Sequence, residues 1–408
     1  MQVYIGIDWS EQKHDVVFQN EQGGVILVRT IPHSARGMEE LDSLRQQLGV
    51  KPQDCVVGLE TAHSLLIDFL WSRQYSEIYV LPPNQVKSSQ GRIRQSGARD
   101  DGHDANLIAE LVRTDRHRLY PWHPGSLLLQ QMRAKVSYID FLTQNIVRFS
   151  NRLRSVLLRY YPAALQVFSS VRTEICQAFI QAYPTPEAAA QLDFAAFKDF
   201  ARENHYNRYS RLPTCFASLQ AAQPVAEPGT VLAYQDEAQL LAAMLNQLMR
   251  SKSRTKRELV TLFQQHPDRA TFESLPGVGD YLSAALLVKF GEDRLRFPLA
   301  ERLQTLAGTC PVTVQSGKSR WVRFRKACDK DFRRIAQQWA RISVNQSVWA
   351  AEYYRQVRPR CESESHAYRC LANRWLAIAW KIWQDRTTYN ETYHLQRHAQ
   401  RVRPRPTN

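Results

Sequence analysis

Val3-Tyr4-Ile5-Gly6-Ile7-Asp8-Trp9-Ser10 is the stretch on which the reading of this chain turns. A short apolar run closed by polar residues fits a buried strand, and Asp8 emerges where that strand ends, aimed by a rigid element. The same arrangement returns at Cys55-Val56-Val57-Gly58-Leu59-Glu60. A lone Asp at a strand end commonly caps a turn. Two acids ending neighbouring strands are harder to explain that way, because like charges brought close raise each other's pKa unless a cation intervenes. Asp101 and Asp104, three apart at an expected helix start, share a face. Helix capping needs only one of them, and the adjacent Asp100 is an alternative to Asp101. Asp8, Glu60, Asp101 and Asp104 are therefore expected to hold Mg²⁺, with two ions roughly 4 Å apart serving an in-line phosphoryl displacement.

Outward from these acids, residues 2–120 alternate strands and helices. Val3 to Ile7, His14 to Gln19 and Val25 to Ile31 read as three consecutive strands, and Cys55 to Leu59 and Ile78 to Leu81 as two more separated by helical periodicity. A meander followed by strand-helix alternation is the order of an RNase H-like mixed sheet.

Tyr120-Pro121-Trp122-His123-Pro124-Gly125 marks a boundary. Beyond it a helical pattern runs from about Leu127 to Tyr160, with Ile146, Leu153, Val156 and Leu157 on an apolar face and Arg148, Arg152 and Arg159 on another. A solvated charged face explains those arginines as well as a polyanion does. Residues 162–236 suggest no role. A second long helix, roughly Asp236 to Gln265, carries Arg250, Lys252, Arg254, Lys256 and Arg257, and the two helices fit an antiparallel, coiled-coil-like hairpin or a contact with another subunit.

Leu275-Pro276-Gly277-Val278-Gly279 before an apolar helix reads either as a helix-hairpin-helix turn, its glycines admitting a phosphate, or as a tight connection. Ala307 to Lys326 is a loop of small and basic residues, Lys330 to Arg355 is helical, Tyr368 to Trp383 is an aromatic helix, and Arg397 to Arg405 is a basic tail. The expected division is 1–121, 122–270, 271–355 and 356–408: a mixed α/β domain, a helical middle, a second helical domain and a C-terminal extension.

Composition limits the functions on offer. A chain of 408 residues that is 44% hydrophobic is long and apolar enough for several cores, which excludes a fully disordered protein. The net charge of +15 and pI near 9.6 point to a polyanionic partner, nucleic acid before membrane. Sixteen glycines in 408 residues fall below the usual ~7% and argue against a Gly-rich nucleotide loop. Seven cysteines, an odd number with no C-x-x-C pair, are expected to be reduced thiols. Without a basic, apolar start or a run of eighteen apolar residues, a cytoplasmic location is expected.

The quoted motifs now converge. Gly6-Ile7-Asp8-Trp9-Ser10, Gly58-Leu59-Glu60-Thr61-Ala62 and Arg99-Asp100-Asp101-Gly102-His103-Asp104-Ala105 resemble the DEDD transposases of the insertion-sequence one-ten family, whose N-terminal domain is RuvC-like. The second half is similar too: Leu275 to Leu287, then Leu306-Ala307-Gly308-Thr309-Cys310-Pro311, then Gln315-Ser316-Gly317-Lys318-Ser319. The likeness covers roughly residues 2–115 and 272–345.

The resemblance implies a prokaryotic, nucleoid-associated recombinase guided by a structured noncoding bridge RNA that pairs with target and donor DNA. It implies Ser316 as the nucleophile, holding broken DNA as a phosphoserine beside Mg²⁺, and a homo-oligomer, dimer or tetramer. On the residues alone Ser316 is a common loop serine with Ser319 and Ser283 as rivals. Lys318, Arg320, Arg323, Arg325 and Lys326 around it would grip phosphates, as Gly277 and Gly279, Arg148, Arg152, Arg159, Lys252, Arg254 and Arg257 would elsewhere. One departure is Cys328-Asp329, where family members commonly carry a glycine. Competing readings are a RuvC-like junction nuclease using water, an actin-like sugar kinase, for which the further phosphate and adenosine motifs are missing, and a silent RNA-binding protein.

Overall fold

The structure, a computed structural model, describes residues 1–61, 65–90, 102–221, 224, 226–317 and 319–402. Its contacts divide the chain into two units, Met1–Pro124 and Gly125–Asn408.

The first unit is a five-stranded mixed sheet of β1 (Val3–Trp9), β2 (Lys13–Gln19), β3 (Val25–Pro32), β4 (Cys55–Leu59) and β5 (Glu77–Val80) in the order β3-β2-β1-β4-β5. β1, β2 and β3 form an antiparallel meander, while β1–β4 and β4–β5 are parallel. Around the sheet lie α1 (Ala35–Gln47), α2 (Leu65–Ser72), α3 (Pro83–Ser89) and α4 (His103–Asp115).

Strand alternation sorts the side chains. Val3, Ile5 and Ile7 join Leu41, Leu66 and Leu70 in one core, and Tyr4 and Val56 join Leu107, Ile108, Leu111 and Val112 of α4 in the other. On the α4 side β1 and β4 place two glycines opposite each other in register, Gly6 and Gly58. A Cβ on Gly6 would lie 1.9 Å from the Ala105 carbonyl oxygen and 2.4 Å from the Ala109 nitrogen. One on Gly58 would lie 2.7 Å from Val112 and 2.8 Å from Ile108. The missing side chains form the seat on which α4 lies.

The second unit is mostly helical. Its frame is a pair of long helices, α5 (Leu127–Tyr160) and α11 (Pro228–Phe263), which run antiparallel with Lys135 against Glu258 and Arg152 against Glu237, both at 2.5 Å. Between them in sequence lie α6 (Ala164–Val167), α7 (Glu174–Ala182), α8 (Pro186–Ala190), α9 (Phe194–Glu203) and α10 (Leu212–Gln220). After α11 come α12 (Arg269–Glu273), α13 (Gly279–Phe290), α14 (Ala300–Leu306), a hairpin of β6 (Val312–Ser316) and β7 (Ser319–Arg323), α15 (Lys330–Ser343), α16 (Val348–Val357), α17 (Glu364–Asp385) and α18 (Glu391–Val402).

Two cores grip the long pair at different heights. Ile146, Leu153, Leu157, Ala238 and Leu245 pack with Phe179 and Phe197, whereas Leu129, Val136, Leu259 and Phe263 pack with Phe290, Trp339, Trp375 and Trp383. Residues 356–408 thus send Trp375 and Trp383 of α17 into the same core as residues 271–355. No helix among the described residues is long and apolar enough to cross a membrane.

Candidate functional site

The seat under α4 fixes the site. Each glycine stands two residues before an acid, so the alternation that turns Gly6 and Gly58 toward α4 turns Asp8 and Glu60 to the same side, one step nearer the strand ends. Asp104 lies in the first turn of α4, one residue before the Ala105 whose carbonyl rests on Gly6. Three carboxylates separated by as many as 96 positions in sequence thereby meet at one end of the sheet.

Their electrostatics report that closeness. Burial lifts the Asp8 carboxyl above its ordinary value, with Asp104 and Asp15 adding to the effect. Burial likewise lifts Glu60, helped by Asp8 and Asp104. Asp104 has its Oδ1 buried without a hydrogen-bond partner. A buried carboxylate oxygen left unpaired costs ~1–3 kcal/mol or more, and a cation removes both that cost and the mutual repulsion. The donor set is all oxygen, which suits a hard divalent cation. Asp8, Glu60 and Asp104 fit such an ion on these observations. Asp101 and its alternative Asp100 lie outside the described residues.

A further acid was not singled out in the sequence. Asp15 of β2 stands opposite Asp8 in register, is 9% exposed, and accepts a hydrogen bond from Thr30 Oγ1 at 2.5 Å. Its neighbour His14 pairs its Nε2 with Nδ1 of His33 at 2.8 Å, and burial beside His33 pushes it down to about 4. A polar residue inside an apolar strand was the available signal.

Ser316 closes β6 in the second unit and faces Ser319 across the hairpin, exposed at its tip beside Gly317. Ser283, by contrast, is buried and donates to the Gly279 carbonyl at 2.8 Å, an ordinary bond inside α13. Arg320, Arg323 and Lys326 are exposed, and Lys318 lies outside the described residues. Arg325 is turned inward, donating to the carbonyls of Cys310 at 3.3 Å and Pro311 at 3.4 Å, which ties the root of the hairpin. At the departure Cys328-Asp329, Asp329 caps α15 by accepting from Phe332 N at 2.9 Å and pairs with Lys289 at 2.7 Å.

The other expected phosphate contacts divide. Arg148 and Arg159 are exposed on α5, while Arg152 is held by Glu237. Gly277, at φ +77°, is pressed on the α15 backbone: a Cβ there would lie 2.9 Å from Cα and N of Ser343. Gly279, at φ +54°, faces open space. Burial holds Lys252 below its ordinary range, with Lys256 adding to the effect. Arg254 and Arg257 open onto a cavity of about 960 Å³ shared with Arg172, Arg208 and Arg250. That cavity draws on the stretch 162–236, to which the sequence assigned nothing.

Comparison with known proteins gives two family models in this order along the chain. A DEDD-type model described as "Transposase" matches residues 5–162, and one described as "Transposase IS116/IS110/IS902 family" matches residues 269–355. Among relatives, the chain is 28% identical over 400 residues to the mini-circle putative transposase for IS117 of Streptomyces coelicolor, covering 95% of each. It is 23% identical over 399 residues to the 42 kDa protein of insertion element IS900 of Mycobacterium paratuberculosis, covering 95% of this chain and 97% of that one. It is 24% identical over 294 residues to the 43.6 kDa protein of insertion element IS110 of Streptomyces coelicolor, covering 72% of each.

Proposed function

Starting from the fact that the chain belongs to the IS110 family of transposases, enzymes of DNA cleavage and transfer, we propose that it is a DNA recombinase guided by a noncoding bridge RNA and working through a phosphoserine. The single observation that carries the nuclease half is the convergence of Asp8, Glu60 and Asp104 around the unpaired Asp104 oxygen. The strand order β3-β2-β1-β4-β5 supports reading the first unit as RNase H-like and RuvC-like, with acids at the ends of β1 and β4. Residues 1–121 would be the DEDD domain, 122–270 the helical middle, 271–355 the serine-bearing domain and 356–408 its extension.

Asp8, Glu60 and Asp104, joined by Asp101, would hold Mg²⁺, two ions in the full site, to neutralise charge on a phosphodiester and on the oxygens that attack and leave it. The chain's own part in the chemistry falls to Ser316. Its oxygen bonds to phosphorus as a P–O bond to a deoxyribose breaks, and the serine proton is delivered to solvent or a nearby base. The ester retains the energy of the broken bond, so a hydroxyl of a second strand can attack it, free the serine and rejoin DNA without ATP. Exposure of Ser316 at a hairpin tip among Arg320, Arg323 and Lys326 supports this role, since a nucleophile must reach a duplex backbone. The basic cavity and the exposed arginines Arg148 and Arg159 would grip guide RNA or DNA. Two or four copies would bring acids and serines together.

The test is cleavage of labelled donor and target DNA with the RNA transcribed from the element's flank. The expected product is DNA bound to protein through an alkali-labile phosphoserine, lost in Ser316→Ala and in Asp8→Asn, and retained in Ser319→Ala. Normal cutting by Ser316→Ala, with free ends, would leave a water-using junction nuclease instead.

A further inference from the structure

A second group of metal-ligating side chains lies far along the sequence from the acids. The three-ten turn Arg358–Arg360 delivers Cys361, whose carbonyl accepts from Arg358 Nη1 at 3.1 Å. Ser363 then caps α17, accepting from His366 N at 3.2 Å, so the chain doubles back and α17 starts at once. His366 and Cys370, four residues apart on α17, share a face. The Sγ atoms of Cys361 and Cys370 and a ring nitrogen of His366 all lie within 4.8 Å of one another, each side chain partly buried.

We propose that Cys361, His366 and Cys370 form a zinc(II) site, two thiolates and an imidazole with a water in the fourth position. Tetrahedral zinc, with Zn–S about 2.3 Å and Zn–N about 2.0–2.1 Å, needs ligand atoms roughly 3.5–3.8 Å apart, so small side-chain rotations close the set. Thiolates select a borderline-soft ion and reject Mg²⁺, which separates this site from the oxygen-only site of the first unit. Burial and the neighbouring Cys361 push the Cys370 thiol up to about 11, with Arg369 and Arg374 opposing, and binding releases the two thiol protons.

The site's position gives it a task. Arg369, next to Cys370, lies 4.6 Å over the ring of Phe324, with Arg333 of α15 also 4.6 Å from it. Phe324 directly follows β7 of the serine hairpin. Zinc would pin the Cys361 turn to the first turns of α17 and so brace the surface on which that hairpin is rooted.

Cobalt(II) substitution of the full, reduced chain tests this. A thiolate-to-cobalt charge-transfer band with intense tetrahedral visible bands, saturating at one equivalent and displaced by zinc(II), is expected. The oxygen ligands of the acid cluster give no such band, so Asp8→Asn should leave it intact. Cys361→Ala and Cys370→Ser should each remove it. Cys361 lies in a turn outside α17, so its variant tests the ligand without disturbing the helix, and far-ultraviolet circular dichroism confirms the fold. Absence of the band in the reduced chain, or its survival in Cys361→Ala, would overturn the proposal. A chain whose two thiols prove to be joined as a disulfide under reducing conditions would do the same.

Discussion

Asp104 enters the first turn of α4 with one carboxylate oxygen buried and unbonded, and Asp8 and Glu60 hold their protons more tightly than free carboxylic acids do. For an acid whose folded pKa is raised, the folded state binds more protons than the unfolded one, so stability falls as pH rises from the ordinary values, 3.8 for Asp8 and 4.5 for Glu60, through the folded ones. Metal-free protein should therefore lose stability across that window, measured by urea denaturation at a series of pH values. Mg²⁺ at a hundred times its Kd should restore about 2.7 kcal/mol. Asp104→Asn should flatten the pH dependence and abolish the Mg²⁺ effect; an unchanged Mg²⁺ response would remove Asp104 from the ligands. Asp8 and Glu60 were legible because each ends an apolar run. The glycine two places before each was not read as part of the site, since its meaning lies in the helix that rests on it. Asp15 was passed over because one polar residue inside an apolar strand, though visible, says nothing of the Asp8 it faces across the sheet.

At the scale of elements, helical periodicity gave Leu127–Tyr160 as it is found, because its apolar stripe persists for the whole length. The second long helix was expected from Asp236, yet α11 starts at Pro228. Proline suits the first helical turn, where its missing N–H is no loss, so the residue that reads as a breaker is the start. The turn at Gly277 shows the opposite limit: a glycine turn was readable, its packing on the α15 backbone was not. Gly277→Ala should cost roughly 2–4 kcal/mol, combining left-handed strain with overlap on the Ser343 backbone. Gly279→Ala, with open space at its Cβ, should cost only about 1–2 kcal/mol of strain. Guanidinium denaturation of the two variants checks the ranking, and equal costs would show that α15 yields.

For the whole molecule, a net charge of +15 announced a polyanion without saying where it lies. The cavity could not be read because its arginines come from three separate stretches, Arg172, Arg208 and Arg250 to Arg257, which meet only when α7 and the loop after α9 fold back on α11. Combined Arg250→Ala, Arg254→Ala and Arg257→Ala should weaken nucleic-acid binding and lower the log–log salt slope by up to about 0.9 per lost duplex phosphate contact, or about 0.7 for a single strand. Stability should change little, since these side chains are mostly exposed. An unaltered slope would return them to a solvated helix face.

The antiparallel pair of α5 and α11 also dictates an order of events during synthesis. Arg152 meets Glu237 and Lys135 meets Glu258 at separations of 85 and 123 positions along the chain. At ribosomal speeds of roughly 5–20 residues per second, the apolar stripe of α5 emerges several seconds to tens of seconds before the helix that covers it. During that wait the nascent chain offers a sticky helix more than thirty residues long, and a neighbouring copy on the same messenger offers an identical one. Folding of a subunit thus competes with contact between nascent copies for one surface while translation is still running.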